Sequence, residues 1–152
     1  MCWIVFFIII ALDQGTKYLI LEKFNLYESR PIIEGIFHLT YVRNMGAAFS
    51  ILQNQRTFFI IITSIIVLII FWYILNNKNN TDKTVIYSLI LIAGGAIGNL
   101  IDRIRFGYVV DFFDFIIWPV FNIADMSIVI GSILLGYFYI FLDKDLLLER
   151  KK

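Results

Sequence analysis

Thr57-Phe58-Phe59-Ile60-Ile61-Ile62-Thr63-Ser64-Ile65-Ile66-Val67-Leu68-Ile69-Ile70-Phe71-Trp72-Tyr73-Ile74-Leu75 runs for nineteen residues without a charge. A helix of roughly 20 mostly apolar residues spans the ~30 Å hydrocarbon layer of a bilayer. A backbone in lipid must satisfy its own hydrogen bonds, so this run reads as a transmembrane helix over residues 57–75. Three other stretches resemble it. Residues 3–21 are interrupted by Asp13, Gln14 and Lys17. Residues 85–101 carry Gly94, Gly95 and Gly98, small residues that let helices approach closely in lipid. Residues 121–142 carry Asn122 and Asp125. The chain is 60% hydrophobic and only 16% charged, where a soluble domain is about one quarter charged. A soluble domain of this size still exposes roughly a third of its unfolded surface, too much to hide such a surplus. The aromatic content of 17% argues equally against a disordered chain.

Residues 1–152 therefore read as a single membrane domain, mainly α, with four transmembrane helices. The first span is read as an uncleaved helix, because Asp13 and Lys17 sit where a signal peptide would place a small-residue cleavage site. Four crossings put both termini on one side, and surface loops 22–56 and 102–120 together on the other. Charge bias normally orients such a protein. Here Lys78, Lys83, Lys144, Arg150, Lys151 and Lys152 on the termini's side balance Lys23, Arg30, Arg43, Arg56, Arg103 and Arg105 opposite, and the dense basic tail tilts the reading toward cytoplasmic termini. Thirteen basic and twelve acidic residues nearly cancel, so nucleic acid is not expected as a partner. One cysteine and one histidine leave no disulfide framework, thiolate zinc site or paired-histidine metal motif. The sequon Asn79-Asn80-Thr81 reads as composition of an Asn-rich connector.

The polar residues of the spans gather at one depth. Asp13 and Lys17 lie in the second half of an outgoing helix, Asn99 and Asp102 at the end of another, and Asn122 and Asp125 in the first turns of a returning one. All six fall toward the face that carries the two long loops. Ionisable groups in a membrane are expensive and by default mark function. Residues 32–44 and 107–115 are rich in β-branched and aromatic residues, which predicts short strands. A small sheet on the membrane surface follows, with Trp118 and Pro119 at the interface.

Asp111 and Asp125 are the strongest chemical candidates. Two carboxyl groups in one poorly hydrated site cannot both ionise, so they share a proton. One then deprotonates a water while the other protonates the carbonyl under attack. The competing reading makes Asp111 a solvated loop residue and Asp125 a packing partner for a buried base; both fit the residues. Asp114 competes with Asp111, but residues three apart in a strand face opposite sides, so one of them serves the site. Asp102-Arg103 at a helix end reads as structural, with Arg103 also able to hold a carbonyl or phosphate. Asp13 and Lys17, one turn apart, neutralise each other and brace the loop above. His38 reads as a strand residue. Asn44-Met45-Gly46-Ala47-Ala48-Phe49 is either a turn into the second helix or a shallow surface for an extended peptide, since Gly and Ala permit close approach.

Five blocks together resemble one family: Asp13-Gln14-Gly15-Thr16-Lys17, Arg43-Asn44-Met45-Gly46-Ala47-Ala48-Phe49, Gly98-Asn99-Leu100-Ile101-Asp102-Arg103, Val109-Val110-Asp111-Phe112 and Phe121-Asn122-Ile123-Ala124-Asp125. In order and spacing they are similar to the bacterial lipoprotein signal peptidases (signal peptidase II). The resemblance implies a monomeric aspartic endopeptidase of the bacterial cytoplasmic membrane, with no metal or cofactor. Its substrates would be prolipoproteins, cut before a diacylglyceryl-modified cysteine and delivered through membrane lipid. It implies Asp111 and Asp125 as the catalytic pair, choosing Asp111 over Asp114. Asn44, Gly46, Asn99, Arg103 and Asn122 would bind substrate, and Asp13, Lys17 and Asp102 would support the site. It also implies cytoplasmic termini and an active site near the outer surface. Small four-helix exporters are the main rival, but they usually hold a key carboxylate near mid-membrane rather than at one face.

Overall fold

Residues 2–46, 55–77 and 79–142 are described in a computed structural model. The expected peptide surface at Ala47, Ala48 and Phe49 lies outside them, as do Lys78 and the basic tail at Lys144, Arg150, Lys151 and Lys152. Among the described residues, four helices are long and apolar enough to cross a membrane. They are α1 (Cys2–Lys23), α2 (Arg56–Asn77), α3 (Lys83–Phe106) and α4 (Ile123–Tyr137), the last continuing as a wider-wound turn over Phe138–Leu142. Strands β1 (Ser29–Ile33) and β2 (Phe37–Asn44) form a hairpin after α1, and β3 (Val109–Asp114) joins it after α3. The order is β1-β2-β3, antiparallel throughout. Gly35 turns the hairpin with φ +72°, a left-handed conformation that a residue with a Cβ rarely adopts.

Helix α3 is the centre of the bundle and packs on α1, α2 and α4. Lipid supplies no hydrophobic drive between helices, so close van der Waals packing must hold them. The glycines provide it. A Cβ at Gly95 would strike the carbonyl oxygen of Ala124 on α4, and one at Gly131 would come within 2.7 Å of Ser88 O on α3. Toward the termini, Phe6, Ile70, Ile74, Ile86, Ile90 and Ala93 make an apolar cluster. Toward the loops, Ile20, Tyr41, Val110 and Phe112 make a second one beneath the sheet.

Helix ends differ from the sequence reading in two places. The third helix, expected to stop at residue 101, continues through Phe106, so Asp102 and Arg103 are helical rather than the first residues of a loop. It stops where Gly107 takes a left-handed φ of 84° and returns its N–H to Arg103 O. Arg56 finishes the end, donating from Nε to Arg103 O (2.8 Å) and from Nη2 to Ile104 O (2.8 Å). The fourth helix, expected from residue 121, begins at Ile123 because Phe121 pairs with Phe113 and Asn122 is the N-cap.

Candidate active site

Charged residues in a bundle core need partners, and three helices meet to supply them. Lys17 on α1 is 2% exposed and points its ammonium at Asp13 Oδ2 (2.9 Å) and Asp102 Oδ2 (3.0 Å). Its third hydrogen goes to Asn99 Oδ1 on α3 (3.0 Å). Asp13 reaches across to α4, where Oδ1 accepts from Ala124 N–H (3.0 Å), one of the donors a helix start leaves unsatisfied. Asp102 Oδ2 likewise accepts from Val110 N–H in β3 (3.0 Å). Gln14 Nε2 lies 3.1 Å from Asp13 Oδ2, 3.1 Å from Gly98 O and 3.0 Å from Asp102 Oδ1. This knot ties α1, α3, α4 and β3 together at the depth where the sequence pattern gathers polar residues.

Above it stand Asp111 and Asp125, each held by asparagine amides whose orientation other groups settle. Asn122 Oδ1 accepts from Asp125 N–H (2.9 Å), so its Nδ2 faces Asp111 Oδ1 (2.6 Å). Asn44 Oδ1 accepts from Gly46 N–H (2.9 Å), so its Nδ2 faces Asp111 Oδ2 (3.0 Å). Asn99 Oδ1 accepts from Lys17 and from Asn122 Nδ2 (3.2 Å), so its Nδ2 faces Asp125 Oδ1 (2.7 Å). Asp125 Oδ2 closes a capping box with Asn122 N–H (3.3 Å). A strand, a helix start and a helix end thus present donors to two acids that lie fourteen residues apart in the chain.

Asp111 is 1% exposed. Burial, and then the negative charge of Asp125, push its carboxyl up to about 7. The two acids line a cavity of ≈ 730 Å³ together with Arg43, Asn44, Asn99 and Arg103. Its other wall is apolar, from Trp118 and Phe121 to Met126 and Val129, and the last two are also exposed on the outer face of α4. Arg103 Nη2 donates to Gly46 O (3.0 Å) and its guanidinium stacks over Phe59 (4.8 Å). The arrangement pairs two carboxylates beside polar donors at the edge of a cavity whose remaining surface suits hydrocarbon. Among the described residues no group of three or more His, Cys, Asp or Glu side chains is placed to hold a metal ion.

Of the residues singled out from the sequence, Asn44, Asn99, Arg103, Asp111 and Asp125 line the cavity. Gly46 and Asn122 stand directly behind them, and Asp13, Lys17 and Asp102 form the knot below. Asp114 is at the far end of β3, accepting from Thr40 Oγ1 (2.6 Å) and Ile116 N–H (2.8 Å). His38 lies opposite Asp114 in the sheet and hydrogen-bonds Ser29 Oγ (3.1 Å). Sequence reasoning misses three participants: Gln14 in the knot, Arg56 at the end of α3 and Arg43 at the cavity. Gln14, directly beside a buried acid on an otherwise apolar helix, is the one with a usable signal.

Four spanning helices among the described residues, a surface sheet and two acids lining a half-apolar cavity define a multi-pass membrane protein with a polar site at one end of its bundle. The family model described as signal peptidase (SPase) II matches residues 5–141, and the chain belongs to that family. It is 56% identical over 135 residues to the lipoprotein signal peptidase of Halothermothrix orenii, covering 89% of this chain and 92% of that one. The lipoprotein signal peptidase of Moorella thermoacetica is 48% identical over 128 residues, covering 84% and 85%. A bacterial membrane enzyme structure obtained by the in meso method superposes with a TM-score of 0.83 at 37% identity, covering 88% of this chain and 84% of that one. A second superposes at 0.82 and 35% identity, covering 94% of each. The protein is accordingly a bacterial multi-pass membrane protease.

Proposed function

We propose that this protein removes signal peptides from prolipoproteins, cutting before the diacylglyceryl-modified cysteine with a water activated by Asp111 and Asp125. The observation that carries the reading is the set of three asparagine amides, each locked as a donor onto an acid in one cavity. Such locking leaves the carboxylates few conformations and leaves their remaining lone pairs for water and substrate. The negative charge sits on Asp125, in the first turn of α4, where a helix N-terminus favours an anion. Asp111 keeps the shared proton.

Asp125 takes a proton from the water as its oxygen attacks the scissile carbonyl, and Asp111 gives its proton to the carbonyl oxygen. The resulting gem-diol collapses when Asp111 recovers a proton from one hydroxyl and Asp125 passes its own to the departing amine. The carbon–nitrogen bond breaks, a carboxylic acid and an amine remain, and the dyad returns to its starting charge. Arg103, with Asn44 and Gly46 beside it, positions the peptide. Asn99 and Asn122 hold the acids, and Asp13, Lys17 and Asp102 support them. No metal or cofactor enters a step. The enzyme works as a monomer with cytoplasmic termini, its cavity toward the outer face, and substrate entering from the lipid side along the apolar wall.

Two measurements follow. A lipidated precursor in bicelles is expected to be cleaved at least about tenfold faster than the same precursor without its diacylglyceryl group, because the acyl chains bury against the apolar wall. Equal rates would remove the lipid from the recognition scheme. The pH profile of kcat supplies the second. The reaction needs the proton on Asp111, so kcat is expected to fall as pH rises through about 7. A profile flat well above that value would mean that Asp111 is not the acid.

A further inference from the structure

Lys17 touches neither acid of the dyad, yet its contacts end at one of them. Asp13 and Asp102 together need two of its three hydrogens, at 2.9 Å and 3.0 Å. The third has no charge to neutralise and goes to Asn99 Oδ1 at 3.0 Å. An amide is planar and two-sided, so a bound Oδ1 dictates where its Nδ2 points. Turning Asn99 over would set its N–H groups against the ammonium and against Asn122 Nδ2, donor against donor among buried groups. With Oδ1 held, Nδ2 can only face Asp125 Oδ1, at 2.7 Å.

We propose that Lys17 is a positioning residue for the reaction: its ammonium locks Asn99 so that Asn99 donates to Asp125 and keeps that carboxylate on the cavity. The inference rests on the dyad reading above and extends it by one residue on a different helix. It also gives Asp13 and Asp102 a second duty, since they hold the ammonium against α1 and α3 where it meets Asn99. A purely structural lysine would need only the two carboxylates.

The test is a double-mutant cycle on the full-length protein in bicelles, with kcat and KM measured on a lipidated precursor. Lys17→Met is expected to lower kcat about tenfold to a hundredfold, the worth of a charge-assisted hydrogen bond, with KM within about twofold of wild type. In an Asn99→Ala background, adding Lys17→Met should leave kcat where Asn99→Ala put it. Independent, multiplying losses would overturn the proposal. Lys17→Met leaves two acids buried without a counter-charge, so a triple variant, Asp13→Asn with Lys17→Met and Asp102→Asn, guards against simple misfolding. The new amide oxygens still accept from Ala124 N–H and Val110 N–H, and Gln14, turned over, accepts from the new N–H groups through Oε1. This variant is expected to regain the wild-type thermal midpoint while kcat stays low; recovery of kcat would show that Lys17 only neutralises charge. Asp111→Asn run alongside separates the two levels. If that variant cleaves normally, the dyad reading is wrong; if it is dead while the cycle shows no coupling, only the role of Lys17 is wrong.

Discussion

Asp111→Asn and Asp125→Asn are each expected to lower kcat on a lipidated precursor by roughly 10³-fold or more, since each removes a proton carrier from the transition state. An amide has the size of a carboxyl group but cannot pass a proton at neutral pH. The substitutions differ in their structural cost. In Asp111→Asn the amide oxygen can still accept from Asn122, while the new N–H group faces Asn44 Nδ2. Asp111 keeps the shared proton, so the substitution removes no charge and costs about one hydrogen bond, and the thermal midpoint of this variant should fall only slightly. Asp125→Asn leaves one acceptor oxygen for two donors, Asn99 Nδ2 and Asn122 N–H, so it weakens the N-cap of α4 by about 1 kcal/mol. A cleavage assay on purified, folded variants reads the outcome directly. Normal processing by either would take that acid out of the chemistry.

Gly95→Ala is expected to cost about 2–3 kcal/mol of stability, through overpacking between α3 and α4. Its new methyl would overlap Ala124 O and lie 2.9 Å from Ile128 Cγ1. The obstacle is backbone, which cannot rotate away, so α4 must shift. Asp125 is the residue after Ala124, and the shift carries it off the dyad; a misplacement of about 1 Å costs about 10²-fold in rate. Stability and kcat should therefore fall together. Gly136→Ala is the control, because nothing lies within 4 Å of its added Cβ. There, the better helix propensity of Ala should leave stability equal or slightly higher. Thermal midpoints in detergent and kcat for the two variants decide the matter. Equal behaviour would mean that α3 and α4 are not held at glycine contact.

Much of this molecule was readable in one dimension. The four apolar runs became the four spanning helices, because length and hydropathy leave a backbone in lipid few alternatives. The β-branched stretches became the surface sheet, and the depth of the six polar residues placed them at one end of the bundle. Helix ends were less legible. The continuation of α3 to Phe106 depends on Gly107 and on Arg56, a side chain forty-seven residues away from its partner Arg103. The Asp13–Lys17 pair was legible as a local neutralisation, one turn apart on α1. Its extension to Asp102 and Asn99 was not.

Composition and hydropathy determined that this chain spans a membrane four times and keeps the charged residues within its spans toward one face, since the cost of burying a charge in lipid acts on each residue separately. Only the tertiary structure decided how those residues pair. Asn99 bonds Asp125 rather than Asp111, and Asp13 caps a helix that begins more than a hundred residues later. Hydrogen bonds are short and directional, so partners are chosen by where packed helices set their side chains, and spacing along the chain carries no record of that choice.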